Sequence, residues 1–190
     1  MITADLRNIT TLPEFTQKIR SIQEEAHGEG YCDIHDGIVK YMENSKSYKE
    51  LGVNQGGTAA AAIMTNPERV ELVDITMARF NEFLGPIARE YCEQNNILLT
   101  TLEIDSTHKA AVTDSFDVLL IDSYHKPDHL RKELNLHKDY TNKYMIFHDT
   151  NVISNGLKLA IFGFTNENPW KVVEDNQRNN GFMVIERTGW

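Results

Sequence analysis

The chain has 190 residues, of which 41% are hydrophobic and 25% are charged, as expected for one folded globular domain and not for a disordered or collagen-like chain. The 28 acidic and 19 basic residues give a net charge of −9, and no dense lysine and arginine cluster is present, so nucleic acid is disfavoured as a partner. Cys32 and Cys92 lie far apart without metal-binding spacing, so the sequence gives no support for a zinc site or a disulfide framework.

The sequence also gives no sign of export or of membrane insertion. The first residues, "MITADLRNITTLPEF", lack a basic region followed by an apolar core, and no stretch approaches the roughly 20 apolar residues of a membrane helix. We therefore expect a cytoplasmic protein that does not enter a membrane.

The N-terminal part of the sequence has helical periodicity. Apolar side chains at Phe15, Ile19 and Ile22 predict a helix over residues 11–27, and the same spacing predicts a second helix over residues 33–44, with Asp33 as its candidate N-cap. Residues 1–46 are therefore predicted to form an N-terminal helical cap.

From residue 47 onward, apolar strands alternate with amphipathic helices, which is typical of a parallel sheet covered on both faces. A turn-rich segment around residues 176–180 separates the last two strands and predicts a hairpin. The predicted fold class is α/β, with a seven-stranded, mostly parallel sheet, helices on both faces and a C-terminal antiparallel β-hairpin. Strands are expected at 47–53, 69–75, 97–105, 116–122, 143–149, 170–175 and 181–187, and helices at 57–65, 78–95 with an interruption near Gly85-Pro86, 108–113, 127–140 and 156–164.

The segment "ELGVNQGGT" joins the first of these strands to its helix. Gly52 and Gly56 can adopt backbone angles closed to other residues, and the helix that follows presents free N–H groups suited to a carboxylate or a phosphate. A turn that only packs the helix tightly on the strand remains the alternative. The spacing is not that of a phosphate-binding nucleotide loop.

Asp74 ends the second strand, where an acid typically binds a ribose diol, although it is also placed to cap a helix starting near Thr76. Together with the glycine turn, this acid indicates an adenosine-type ligand. The pattern E-x-G-x-x-x-G, with Glu50 before Gly52, differs from the G-x-G-x-x-G of nicotinamide sites and argues against hydride transfer.

Two further carboxylates follow the fourth and fifth strands. Asp122 and Asp149 are expected to face each other across adjacent strand ends, where oxygen ligands suit Mg²⁺, Ca²⁺ or Mn²⁺. His148 either adds a nitrogen ligand, which favours Mn²⁺ or Fe²⁺, or does not bind metal. Backbone N–H groups could instead satisfy both acids, and His125 in "IDSYH" could simply cap the helix at Pro127. His108, His129 and His137 are interpreted as solvated positions without a role.

The stretches "ELGVNQGG", "ELVDI", "FDVLLIDSYHKPDHLRKEL" and "YMIFHDT", with the closing hairpin, resemble the class I S-adenosylmethionine-dependent methyltransferases, which have a Rossmann-like fold. Within that superfamily the chain is most similar to the group of cephalosporin-hydroxylase-like proteins and metal-dependent sugar and macrolide O-methyltransferases. The resemblance covers residues 47–187, so residues 47–190 are expected to form the methyltransferase domain. It implies S-adenosylmethionine, with or without Mg²⁺ or another divalent cation, as cofactors.

The resemblance also implies roles for individual residues. His125 corresponds to a general base beside Asp122, and the metal ligands correspond to Asp122, His148 and Asp149, although the relatives end the fifth strand with two acids. The remaining residues are implied in binding the cofactor. Glu50, Gly52, Val53, Asn54 and Gly56 are expected along its methionine, Thr58 at the methionine carboxylate, Asp74 at the ribose, Asp105 or Ser106 near the adenine, and Asp122 beside them.

The sequence therefore predicts an enzyme that methylates a hydroxyl of a small molecule or sugar. The alternative is a binding module that keeps the adenosine pocket without catalysis and acts as a sensor or an assembly partner. It remains open whether the N-terminal helices cover their own site or that of a partner in a homodimer.

Overall fold

The computed structural model describes residues 6, 8–152 and 156–189, and in this part of the chain we find seven α-helices and seven β-strands. None of the helices in those ranges combines the length and the apolar character that a membrane crossing requires. The helices are α1 (Leu12–His27), α2 (Asp33–Met42), α3 (Gly57–Ile63), α4 (Ala78–Glu82), α5 (Leu84–Gln94), α6 (Pro127–His137) and α7 (Leu157–Glu167). The strands are β1 (Ser47–Leu51), β2 (Arg69–Asp74), β3 (Leu98–Glu103), β4 (Phe116–Ile121), β5 (Thr141–His148), β6 (Trp170–Asn176) and β7 (Phe182–Arg187).

The strands form one sheet in the order β3-β2-β1-β4-β5-β7-β6. Strands β1 to β5 are parallel, whereas β7 is antiparallel to both of its neighbours, β5 and β6. The predicted fold class is therefore confirmed, including the hairpin. A doubly wound dinucleotide-binding sheet has the order 3-2-1-4-5-6 and lacks the inserted antiparallel strand.

Helices cover both faces of the sheet because successive side chains of a buried strand point in opposite directions. In β4, Val118 and Leu120 join the hydrophobic core beneath α1 to α5, whereas Leu119 and Ile121 join the core beneath α6 and α7. Strands buried on both faces need nearly continuous apolar sequence, which is what "FDVLLI" supplies.

The two predicted N-terminal helices are present, but the start of α2 differs from the prediction. Helix α1 begins after Thr11, whose hydroxyl accepts a hydrogen bond from the backbone N–H of Glu14. Asp33 was predicted to cap α2, and this was wrong, since Cys32 occupies that position and Asp33 is the first helical residue. The carboxylate of Asp33 instead accepts hydrogen bonds from Asn176 and Arg178 in the hairpin.

The helix predicted over residues 78–95 is divided into α4 and α5 at Phe83, which has φ −113° and ψ −79°. Pro86 accounts for this break, because a proline inside a helix would clash with the carbonyl group four residues earlier, here that of Glu82. The interruption near Gly85-Pro86 is thus observed slightly upstream of the expected position.

Candidate active site

A cavity of about 660 Å³ opens at the carboxyl ends of the central strands, between the sheet and the two N-terminal helices. In a parallel sheet this edge is the usual ligand site, and the volume lies within the roughly 300–1,000 Å³ of small-molecule sites. Eleven predicted site residues line the cavity, namely Gly52, Val53, Asn54, Thr58, Asp74, Asp105, Ser106, Asp122, His125, His148 and Asp149. Glu50 and Gly56 do not belong to the lining.

The glycine turn brings the end of β1 against the end of β4. Gly52 has a φ of +91°, and a Cβ atom at this position would overlap with the backbone carbonyl of Asp122. Gly56 has a φ of +88°, and a Cβ atom there would meet the side chain of Leu84 on α5. Both glycines therefore adopt the predicted backbone conformation, and Gly56 serves close packing of the helix.

Asp74 stabilises the glycine turn. Its Oδ2 accepts hydrogen bonds from the backbone N–H groups of Val53 (2.7 Å) and Asn54 (3.0 Å), and its Oδ1 accepts one from Thr76 (3.1 Å). A carboxylate offers about four acceptor positions, so Asp74 keeps capacity for a ligand in the cavity that it lines. Asp74, the last residue of β2, thus joins the turn after β1 to the loop after β2.

Glu50 lies behind the cavity wall, with an exposed fraction of 0%. Its Oε1 accepts a hydrogen bond from Thr58 (2.7 Å) and its Oε2 accepts one from Tyr48 (2.6 Å). Burial raises the pKa of Glu50 to about 8, although the two hydrogen bonds act in the opposite direction. Glu50 therefore orients Thr58, which does line the cavity.

A buried polar network supports another part of the wall. Glu133 on α6, which is 0% exposed, accepts hydrogen bonds of 2.5 Å from both Ser106 and Ser123, and its Oε1 lies 3.3 Å from Nε2 of His129. Ser106, Ser123 and His129 all line the cavity. His129 was predicted to be solvated, and its side chain remains 20% exposed in the cavity. The prediction of a solvated His137 was wrong, because His137 is buried, with Nε2 3.0 Å from the carbonyl oxygen of Ser106.

Four charged or polar side chains meet at the ends of β4 and β5. His125 lies between two carboxylates, with Nε2 3.1 Å from Oδ1 of Asp122 and Nδ1 3.1 Å from Oδ2 of Asp149. His148 lies on the other side, with Nδ1 3.3 Å from Oδ2 of Asp122. The structure thus brings together the residues predicted as base and as metal ligands.

The two imidazoles and the carboxylates shift one another's protonation. Burial raises the pKa of Asp122, but the charges and hydrogen bonds of His148 and His125 outweigh this and hold it at about 2. Burial also lowers the pKa of His148, yet the carboxylate of Asp122 prevails and raises it to about 9. The hydrogen bond to Asp122 likewise raises the pKa of His125. The imidazole of His148 therefore carries positive charge beside Asp122 at neutral pH.

This cluster has a donor set that fits a divalent cation. Asp122, His148 and Asp149 each offer one ligand atom, and these atoms lie within 4.8 Å of one another. Two carboxylates with one imidazole suit Mn²⁺ or Fe²⁺ better than Mg²⁺, which prefers oxygen ligands. Binding at His148 requires release of its proton, so the cation would replace the positive charge that this imidazole supplies.

The N-terminal helices and the connection between them, which were predicted as a cap, line the cavity of their own chain, but the sequence did not identify the residues that do so. Gln23, Tyr31, Ile34 and His35 line it, and the ring of Tyr31 lies edge-on to that of His148 with 5.5 Å between centroids. His35 is 4% exposed, burial lowers its pKa to about 4, and its Nδ1 has no hydrogen-bond partner among the described residues. No motif in residues 1–46 marked these positions.

Comparisons with known proteins identify the fold. No family model and no curated protein matches the sequence. Among solved structures, the chain is similar to an S-adenosylmethionine-dependent methyltransferase from Clostridium acetobutylicum, with a TM-score of 0.64 and 10% identity over 91% of this chain and 99% of that one. The O-methyltransferase TomG from Streptomyces achromogenes, solved with S-adenosylmethionine, has a TM-score of 0.61 and 11% identity over 94% and 89%.

An O-methyltransferase from Bacillus cereus, solved with S-adenosylhomocysteine, has a TM-score of 0.56 and 16% identity over 95% of this chain and 92% of that one. At such identities the similarity establishes the fold, and site chemistry has to be argued from the residues themselves. The fold is that of S-adenosylmethionine-dependent methyltransferases.

Proposed function

We propose that the protein is an S-adenosylmethionine-dependent methyltransferase that acts on a hydroxyl group of a small molecule or sugar. The observation that carries this proposal is the position of His125 between Asp122 and Asp149, at the edge of the cavity that the glycine turn also lines. A proton acceptor and a nucleoside-type turn thus share one cavity. The fold similarity to methyltransferases supports the same conclusion.

The cofactor would extend from the glycine turn to the network around Glu133. Thr58 and the turn residues are available for its methionine, and Asp74 for the ribose diol. Ser106 also lines the cavity, and Ile75 and Ile104 in the same lining are available for apolar contact with a flat base. Four acids line this cavity, and a positively charged sulfonium compound fits such a surface better than an anion does.

When bound, S-adenosylmethionine supplies a methyl group on a positively charged sulfur, which is already a good leaving group. The protein has to align the acceptor hydroxyl with that methyl and accept its proton. His125 can take the proton at a ring nitrogen, provided that the imidazole is neutral. Asp122 and Asp149 orient the ring from both sides.

A divalent cation at Asp122, His148 and Asp149 belongs to this proposal, as does membership in the group of metal-dependent sugar and macrolide O-methyltransferases. Bound there, the cation would lower the pKa of a coordinated hydroxyl and offset the negative charge of the two carboxylates beside His125. The donor atoms within 4.8 Å of one another support this assignment.

The decisive experiment is calorimetric titration of the purified protein with S-adenosylhomocysteine, followed by incubation with methyl-labelled cofactor, Mn²⁺ and a metabolite extract. We expect saturable binding of S-adenosylhomocysteine and a labelled product. Because methyl ethers resist hydrolysis by base, this product should keep its label after treatment with base. Absence of binding would overturn the proposal. Label that appears only in base-labile esters would contradict transfer to a hydroxyl.

A second candidate is the non-catalytic binding module. It is favoured by one observation, namely that the carboxylates of Asp122 and Asp149 have partners within the protein, since His125 lies 3.1 Å from each of them and His148 lies 3.3 Å from Asp122. It predicts binding of S-adenosylhomocysteine with no labelled product from any acceptor in the extract. A single labelled product would exclude it.

A further inference from the structure

The turn between β6 and β7, residues 177–181, reaches the proposed cation site. Nδ2 of Asn180 donates a hydrogen bond of 2.7 Å to Oδ1 of Asp149. Asp149 has a φ of +54°, a conformation that a residue with a side chain rarely adopts and that its surroundings must hold. The hydrogen bond from Asn180 thus holds the carboxylate of Asp149 in one orientation and helps to maintain its unusual backbone conformation.

The same turn holds the connection between α1 and α2. Nδ2 of Asn179 donates hydrogen bonds to the carbonyl oxygens of His27 (2.8 Å) and Gly28 (3.3 Å). This connection carries Tyr31, whose ring lies edge-on to His148. Arg178 also pairs with Glu29 at 2.8 Å, but both side chains are largely exposed and contribute little.

Asn151 holds the turn between β6 and β7 in place through hydrogen bonds. Its Nδ2 donates a hydrogen bond of 2.7 Å to the carbonyl oxygen of Gln177, and its backbone N–H donates one of 2.7 Å to the carbonyl oxygen of Asn180. Gly181 has a φ of +70°, and a Cβ atom there would lie 2.6 Å from Cβ of Asn151. The turn is therefore tightly seated, and its side chains have defined directions.

We propose that Asn180 is a positioning residue for Asp149, and that Asn179 independently positions the α1–α2 connection above the same site. The inference rests on the proposed function only in that Asp149 is taken as a cation ligand. Groups that hydrogen-bond to a metal ligand fix its orientation, and their removal typically lowers metal affinity by about 10- to 100-fold. The two asparagines are adjacent but act on different partners, which makes each a matched control for the other.

The test uses Mn²⁺ alone as the probe, titrated by calorimetry into the wild type, Asn180→Ala, Asn180→Leu and Asn179→Ala. Asn180→Ala removes the donor to Asp149, and we expect its Mn²⁺ dissociation constant to rise about 10-fold or more. Asn180→Leu has a similar volume without a donor or a charge and should give about the same loss. Asn179→Ala should leave Mn²⁺ affinity unchanged but speed amide hydrogen exchange in residues 27–31.

Thermal unfolding separates these effects from general loosening, since all variants are compared at temperatures where each is folded. The inference is overturned if the wild type binds no Mn²⁺, if Asn180→Ala binds Mn²⁺ like the wild type, or if Asn179→Ala and Asn180→Ala lose Mn²⁺ equally. Titration with S-adenosylhomocysteine tests the proposed function separately. A protein that binds Mn²⁺ through Asp149 but no S-adenosylhomocysteine would sustain this inference and refute that function.

Discussion

The hydroxyl of Thr58 donates a hydrogen bond of 2.7 Å to Oε1 of Glu50, which ties the first turn of α3 to the end of β1. Glu50 is fully buried, and its pKa of about 8 means that the carboxyl group is mostly protonated at neutral pH. A neutral carboxyl group is the less costly form in such surroundings. Glu50, which distinguishes this turn from a nicotinamide site, therefore does not line the cavity and acts on it only by orienting Thr58.

The pKa of Glu50 predicts a pH-dependent stability. The folded protein keeps a proton that the unfolded chain loses near pH 4.5, so this contribution falls as the pH rises toward 8, by at most about 1.4 kcal/mol per pH unit. Glu50→Gln keeps a neutral side chain of the same shape and removes this dependence. We expect the difference in unfolding free energy between wild type and Glu50→Gln to change between pH 5 and pH 8 in urea titrations.

The exposed Glu25 gives the control for this comparison, and Glu25→Gln should run parallel to the wild type over the same pH range. Parallel curves for the wild type and Glu50→Gln would show that Glu50 does not hold the extra proton.

Asp74 accepts hydrogen bonds from the backbone of the glycine turn and is proposed to bind the ribose diol, and two variants separate these roles. Asp74→Asn keeps one acceptor oxygen for the turn but loses the charge, and Asp74→Ala loses both. We expect calorimetric affinity for S-adenosylhomocysteine to fall by about 10-fold in the asparagine variant and by more in the alanine variant, since hydrogen bonds to charged groups contribute about 1.5–3 kcal/mol. Equal affinity in the wild type and both variants would remove Asp74 from the site. Asp128→Asn is the control, because that side chain is 91% exposed.

Substitution of His125 tests the proton acceptor. His125→Gln should lower the rate of methyl transfer by about 100- to 10,000-fold, the usual contribution of a general base, with affinity for S-adenosylhomocysteine unchanged. Single-turnover measurements with labelled cofactor report this rate without product release. His108→Gln on the exposed loop before β4 serves as control. If His125→Gln transfers methyl groups at the wild-type rate, His125 has only a structural role.

Glu133 is expected to matter for binding of the adenosine part, because it holds Ser106 and His129 in place. Glu133→Ala leaves the buried hydroxyl of Ser106 and the partly buried imidazole of His129 without this partner, and it should destabilise the protein by about 1–3 kcal/mol. Glu133→Gln keeps an acceptor and should lose less. If Glu133→Gln weakens binding of adenosine and of S-adenosylhomocysteine by the same factor, the effect lies at the adenosine part, whereas unchanged affinities would contradict the assignment.

Much of the fold follows from periodicity and from the order of strands and helices. The β4 sequence "FDVLLI" is apolar on both faces, and Asp122 and Asp149 come directly after strands that pair in the sheet. Because neighbouring parallel strands end at the same edge, their convergence could be predicted without knowing the distances. The glycines at 52 and 56 were likewise recognisable from the turn that they form.

The buried polar residues were not recognised, for different reasons. Leu130, Glu133, Leu134 and His137 share one helical face, so the spacing of α6 did contain a signal for burial of Glu133 and His137. Tyr31 and His35 left no such signal, because only the packing of α1 and α2 against α3 brings them over the cavity. Asp33 was misassigned because its partners lie more than 140 residues away in the hairpin.

The position of β7 links folding to assembly of the site. Although β7 follows every other strand in the chain, it lies inside the sheet between β5 and β6. During synthesis β5 therefore keeps an unpaired edge, which invites pairing with other chains, until β7 has been made. The turn that carries Asn180 directly precedes β7. Pairing of β7 with β5 therefore also brings Asn180 to Asp149, and the last strand to pair completes the site.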